Sequence, residues 1–149
     1  FLPAPFDGMF IALNLTWTDG DSTFKFEDNQ SFTTPFRKLS DKQENFSIGY
    51  DKGKFDIRLA MNSRGEYLDW LADEESDIDK VSLQNSRFVA PHEQWDLKAS
   101  YEINDNFRLK FEITNIEDRP EYYYWGYNDR LSQYDEYGTS YAIGFTYNN

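Results

Sequence analysis

Apolar and polar residues alternate along much of this chain with a period of two, the mark of strands that carry one apolar face. Six segments show it. In Met9–Thr18, Met9, Ile11, Leu13, Leu15 and Trp17 fall on one side, and Phe10, Ala12, Asn14 and Thr16 on the other. A second segment sets Phe46, Ile48 and Tyr50 against Ser47 and Gly49. A third sets Phe55, Ile57, Leu59 and Met61 against Asp56, Arg58, Ala60 and Asn62. A fourth sets Trp95, Leu97, Ala99, Tyr101 and Ile103 against Asp96, Lys98, Ser100 and Glu102. A fifth sets Phe107, Leu109, Phe111 and Ile113 against Arg108, Lys110, Glu112 and Thr114. The last sets Tyr141, Ile143, Phe145 and Tyr147 against Ser140, Ala142, Gly144 and Thr146. No charge enters any apolar set, and no helical period competes. The pattern predicts an all-β, antiparallel chain.

The connections alternate between short and long. Asp51-Lys52-Gly53-Lys54 and Asn104-Asp105-Asn106 are tight turns. With Asp105 at the tip, Tyr101 faces Leu109 and Ala99 faces Phe111 on the apolar side. The same register sets Glu102 opposite Arg108 and Lys98 opposite Glu112, so both faces are satisfied at once. The other connections, Asp19 to Gln43, Gly65 to Glu93 and Glu117 to Glu136, are long loops of a kind uncommon in compact soluble domains. Short turns on one side and long loops on the other match the layout of outer-membrane barrels.

Composition narrows the function. Among 149 residues, 27 Asp and Glu outweigh 15 Lys and Arg, for a net charge of −12. Nucleic acid is a poor partner for such a chain, because phosphate neutralisation needs a basic patch. The absence of Cys removes disulfides, thiol nucleophiles and thiolate metal sites. No apolar run reaches the ~18 residues of a spanning helix, but a barrel strand needs only ~9–11 alternating residues. The opening FLPAPFDG has neither an initiator Met nor a signal peptide, so the chain is expected to be a segment of a longer protein. His92, the single histidine, has no nucleophile context, and no pair of carboxylates is fixed for acid–base work. The chain is therefore read as a non-enzyme without cofactors.

A half-buried soluble sheet alternates in the same way. Lipid is favoured by the loop lengths, by the two-signed charge of the polar sets, and by Trp17, Tyr50, Trp95, Tyr101 and Tyr147 near strand ends, where interfacial aromatic girdles lie. Six strands in lipid would leave two unpaired edges, so further strands must complete the wall.

LPAPFDG before the first strand, RGEYLD at Arg64–Asp69, and the stretch Thr114–Tyr147 with its N-x-x-D-R-P and QYDEYG elements resemble the C-terminal end of TonB-dependent receptors. The closest likeness is to a proteobacterial branch often linked to carbohydrate uptake. The resemblance implies a transmembrane up-and-down β-barrel segment, the last six strands of a 22-stranded barrel, in a Gram-negative outer membrane. It implies partners as well: outer-membrane lipid, the remaining strands and an N-terminal plug, the TonB complex that energises uptake, and a small nutrient such as a carbohydrate or siderophore. Tyr141, Ile143, Phe145 and Tyr147 resemble the terminal barrel-assembly signature, here followed by Asn148 and Asn149. The rival reading is a soluble all-β module that holds a glycan on long aromatic loops.

Candidate ligand contacts are Tyr122, Tyr123, Tyr124, Trp125, Tyr127 and Arg130 in the last loop, and Trp70, with Tyr67, in the middle one. Aromatic faces stack on sugar rings while Arg bonds hydroxyls. The alternative is that they extend the strands and form the upper girdle. The acidic run Glu66, Asp69, Asp73, Glu74, Glu75, Asp77 and Asp79 matches no calcium loop and is read as solvated, with no metal site. The charged polar sets are read as a structural lining of an aqueous bore.

Overall fold

A computed structural model describes residues 2–25, 31–72 and 82–148. Regular structure among these residues is antiparallel strand, apart from a 3-10 turn at Phe6–Gly8. The strands are β1 (Met9–Trp17), β2 (Asp21–Lys25), β3 (Ser31–Pro35), β4 (Lys42–Lys52), β5 (Phe55–Arg64) and β6 (Tyr67–Ala72). They continue as β7 (Ser82–Val89), β8 (His92–Glu102), β9 (Phe107–Thr114), β10 (Glu121–Trp125), β11 (Leu131–Asp135) and β12 (Ser140–Tyr147).

The six alternating segments form one meandering sheet, in the order β1-β4-β5-β8-β9-β12. Its hairpins have the expected registers. Tyr101 pairs with Leu109 and Ala99 with Phe111, while Glu102 meets Arg108 and Lys98 meets Glu112. Lys98 and Glu112 form an ion pair at 2.7 Å, and Arg108 binds Glu102. The turn after β4 places Gly53 at φ 64, a conformation costly for a residue with a Cβ. Lys52 of that turn reaches back to Asp7 at 2.6 Å, tying the entry of β1 to the end of β4. Among the described residues no sheet closes into a barrel, and β1 and β12 are open edges of the wall.

The apolar face of this wall is uncovered. Ile11 is 68% exposed, Ile143 78% and Phe145 77%, and Leu13, Trp17, Phe55, Tyr141 and Tyr147 are exposed with them. One row of paired residues, Ile11–Ile48–Leu59–Leu97–Ile113–Tyr141, is apolar across all six strands. The apolar band as a whole runs obliquely to such rows. On β1 it centres on Leu13, on β12 on Gly144. Gly144 is level with Lys110, Ser100, Asp56 and Asp51, and hence with Gly8, five residues before Leu13. A drift of about five residues over five strand spacings, at ~3.4 Å per residue and ~4.8 Å per spacing, inclines the strands by about 35° to the normal of the band.

The three long connections are not the loops expected from sequence. Each carries a hairpin or part of one: β2–β3, β6–β7 and β10–β11. Loop length therefore no longer separates this chain from a soluble sheet. The last four of these strands form a second sheet, β6-β7-β10-β11, which repeats the order β5-β8-β9-β12 of the wall segments that lead into it. The buried core lies here and not in the wall. Leu68 and Leu71, each 1% exposed, pack with Phe24 and Phe32 of the β2–β3 hairpin and with Leu83 and Phe88. The amide of Lys38 bonds the carbonyl of Leu68 at 2.7 Å, which caps the outer edge of β6.

Candidate functional site

The second sheet positions the aromatic candidates, and its register divides them between two faces. Tyr67, Val89 and Tyr123 are level, as are Trp70, Arg87 and Trp125. Residues directly opposite share a face, so Tyr67, Trp70, Arg87, Tyr123 and Trp125 line one side. Trp70 meets Trp125 edge to face at 5.7 Å. The Arg87 guanidinium lies 5.4 Å from the Tyr123 ring centre and binds Asp69 through Nε at 2.7 Å. Arg64, from the polar set of β5, lies 5.1 Å over the Tyr67 ring and binds Glu121 at 2.9 Å. This face is thus continuous with the polar face of the wall.

The opposite face belongs to the core. Tyr124 is 5% exposed, stacks on Phe88 at 5.6 Å, and gives its hydroxyl proton to Glu66. Tyr122 packs beside Tyr124, and its hydroxyl bonds the carbonyl of Asn128 at 2.6 Å, bracing the β10–β11 turn. Neither ring is presented with Tyr123 and Trp125. Arg130 bonds the carbonyl of Gln84 at 2.9 Å and fastens the same turn to β7. Tyr127 stands exposed at the tip. Of the candidates, Tyr67, Trp70, Tyr123 and Trp125 share one face; Tyr122, Tyr124 and Arg130 hold the platform in shape.

Sequence reasoning passed over Arg64, Arg87 and Glu121 as site residues. Their signal was weak, because bulges at Leu68/Trp70 and Tyr123/Tyr124 interrupt the alternation. Of the acidic run, Glu66 and Asp69 are taken by Tyr124 and Arg87; Asp73, Glu74, Glu75, Asp77 and Asp79 lie outside the described residues. No acidic or histidine cluster able to hold a metal occurs among the described residues.

Burial, with the Glu121 carboxylate beside it, pushes the Tyr123 hydroxyl up to about 12. Burial and the Glu66 carboxylate push Tyr124 up as well. Both rings stay neutral donors at physiological pH.

The N-x-x-D-R-P element forms the joint between wall and platform. Asn115 has φ 57 and is 5% exposed. Its amide donates to Asp96 at 3.0 Å, and its side chain both accepts from the Arg119 amide at 2.9 Å and donates to the Arg119 carbonyl at 3.1 Å. Its own carbonyl accepts from Thr139 at 2.8 Å, which joins the β9–β10 and β11–β12 connections. At the far end of the wall, Tyr147 packs on Phe107 at 4.8 Å with Tyr141, Ile143 and Phe145 on the same face. Asn148 continues the ladder, its amide bonding the Asn106 carbonyl at 2.9 Å.

Comparison with protein-family models, curated proteins and solved structures gives no match.

Proposed function

We propose that this chain is the C-terminal part of a TonB-dependent receptor barrel, working in outer-membrane uptake of a small nutrient. The observation that carries the reading is the uncovered apolar face of the six-stranded wall. Monomeric soluble proteins rarely leave so large an apolar patch open to water. Acyl chains are the solvent that such a face fits. The slant of the apolar band, about 35°, agrees with the ~35–45° strand tilt of outer-membrane barrels. The open edges at β1 and β12 then pair with further strands, because each unsatisfied backbone group in lipid costs several kcal/mol. The charged polar face lines an aqueous bore, and the Trp70–Trp125 platform stands at its mouth on the outer side of the membrane. A plug and the TonB complex belong to the same reading through the sequence resemblance.

Cell fractionation tests it. The full-length protein is expected in the outer-membrane fraction, released only by detergent. Recovery as a detergent-free, monodisperse monomer would replace it with the soluble glycan-binding module.

A further inference from the structure

We infer that the wall holds a zwitterionic glycerophospholipid, of the phosphatidylethanolamine type, in an apolar groove at its short-turn end. The inference rests on the membrane part of the reading above and names the lipid that this end of the apolar face selects. The segment entering β1 builds the groove. Its 3-10 turn, Phe6–Gly8, folds against the end of β4. Gly8 permits the contact, since a Cβ there would stand 2.7 Å from the Lys52 Cβ and 2.9 Å from the Asp51 carbonyl oxygen. Both carboxylate oxygens of Asp7 accept from Lys52 Nζ, at 2.6 and 2.7 Å. The Phe6 amide bonds the Pro3 carbonyl at 2.9 Å. So anchored, Phe6 and Met9 border a half-buried floor of Ile48, Leu59 and Leu97, with Ile57 beside them. The groove opens over about 540 Å³, within the ~300–1,000 Å³ of small-ligand sites. It reaches from β1 to β8, three strand spacings or ~14 Å.

Groove and mouth together select the occupant. Every side chain lining the groove is apolar apart from the Tyr50 hydroxyl, and β4 and β5 are paired on both sides. A peptide lying there would bury backbone groups without partners, whereas an acyl chain has none to satisfy. The mouth carries the Lys52–Asp7 pair, with the two side chains 44% and 38% exposed. An ammonium has three donors, of which Asp7 takes two, and an ionised carboxylate has about four acceptor sites. One N–H and most of the carboxylate lone pairs therefore stay open without breaking the pair. A cation beside an anion matches a phosphate and a primary ammonium joined through two carbons: Lys52 donates to the phosphate while the lipid ammonium donates to Asp7. An anionic head lacking the ammonium would meet the Asp7 carboxylate unmatched. A quaternary ammonium has no N–H to give. Of the other described charges at this end, Asp51 and Asp56 are level on the polar face, and Lys54 falls in their phase, so none adds to the mouth.

Native mass spectrometry of the full-length protein in detergent decides this, with dioleoyl phosphatidylethanolamine, phosphatidylglycerol and phosphatidylcholine as competing probes. The wild type is expected to retain phosphatidylethanolamine over the other two. Asp7→Asn should shift the ratio of phosphatidylethanolamine to phosphatidylglycerol about tenfold toward the anionic lipid, the loss of a charge-assisted hydrogen bond. Phe6→Ser should weaken all three lipids alike and leave their ratio in place, and Lys110→Gln should change nothing. A ratio of two lipids on one folded protein is not moved by a loss of stability alone. Equal retention of the three lipids by the wild type, the mark of a non-selective lipid coat, overturns the inference, as does an unchanged ratio in Asp7→Asn. Either result in a protein that still fractionates with the outer membrane leaves the uptake reading standing; recovery as a detergent-free monomer removes both.

Discussion

The Phe10 ring lies across Gly49 so closely that a Cβ at position 49 would sit 2.4 Å from its Cζ and 2.6 Å from the carbonyl oxygen of Ile57. Phe10 is the one large apolar residue in the polar set of β1. It covers a glycine on the paired strand, as aromatic residues do where a sheet lacks a side chain.

Gly49→Ala should therefore destabilise the folded protein by about 1–3 kcal/mol, the range for overpacking. The Phe10→Ala/Gly49→Ala double variant should recover only the ring's share, since the Ile57 carbonyl stays in place. Urea titration of the folded protein checks both.

At the joint, Asn115 combines a left-handed backbone with side-chain hydrogen bonds to both the amide and the carbonyl of Arg119. Asn115→Gly keeps the backbone conformation and loses the side-chain bonds, for an expected cost of about 1–3 kcal/mol. Asn115→Ala adds strain of order 1 kcal/mol more. Limited proteolysis between Thr114 and Glu121 should rise in the order wild type, Gly, Ala. Equal protection in all three would remove the joint's structural role.

Tyr123 gives a pH dependence. Its hydroxyl is raised from 10.0 to about 12 in the folded protein. The neutral form is thus favoured by folding; the stabilisation is complete below pH ~10 and disappears as pH rises through ~12. Absorbance titration near 295 nm should show a late-ionising fraction shared by Tyr123 and Tyr124, and Tyr123→Phe should lower its amplitude while leaving the Tyr124 share. An unchanged late amplitude in that variant would contradict the assignment.

Neighbouring positions on β9 separate the two faces of the wall. Leu109→Arg should cost ~2–4 kcal/mol on folding into bilayers if it lies near the midplane. Lys110→Gln, on the polar face, should cost far less. Equal costs would count against the assignment of faces.

The wall was legible because a single rule governs it: one face apolar, one polar, with cross-strand pairs such as Lys98–Glu112 fixing register. The platform was not. Leu68 and Val89 are both buried though they lie on opposite faces, so β6 and β7 carry no clean alternation. Bulges then shift the phase, and Tyr123 and Tyr124, adjacent in a run of tyrosines, end in different environments. The aromatic loop was visible by composition, but not its division into platform and core. Asn115 gave no composition signal, since its role comes from a positive φ.

None of the 149 residues is Cys, so a single Cys introduced on either face of the wall is unique within this segment and makes the central claim directly measurable. Single variants Leu109→Cys, Ile143→Cys and Phe145→Cys on the apolar face, and Lys110→Cys, Glu112→Cys and Thr146→Cys on the polar face, can be spin-labelled in the full-length protein in bilayers. Quenching by oxygen, which partitions into lipid, should be strong for the first three, and quenching by a water-soluble nickel chelate strong for the second three. Apolar-face labels shielded from oxygen, or as open to the chelate as their neighbours, would contradict the account.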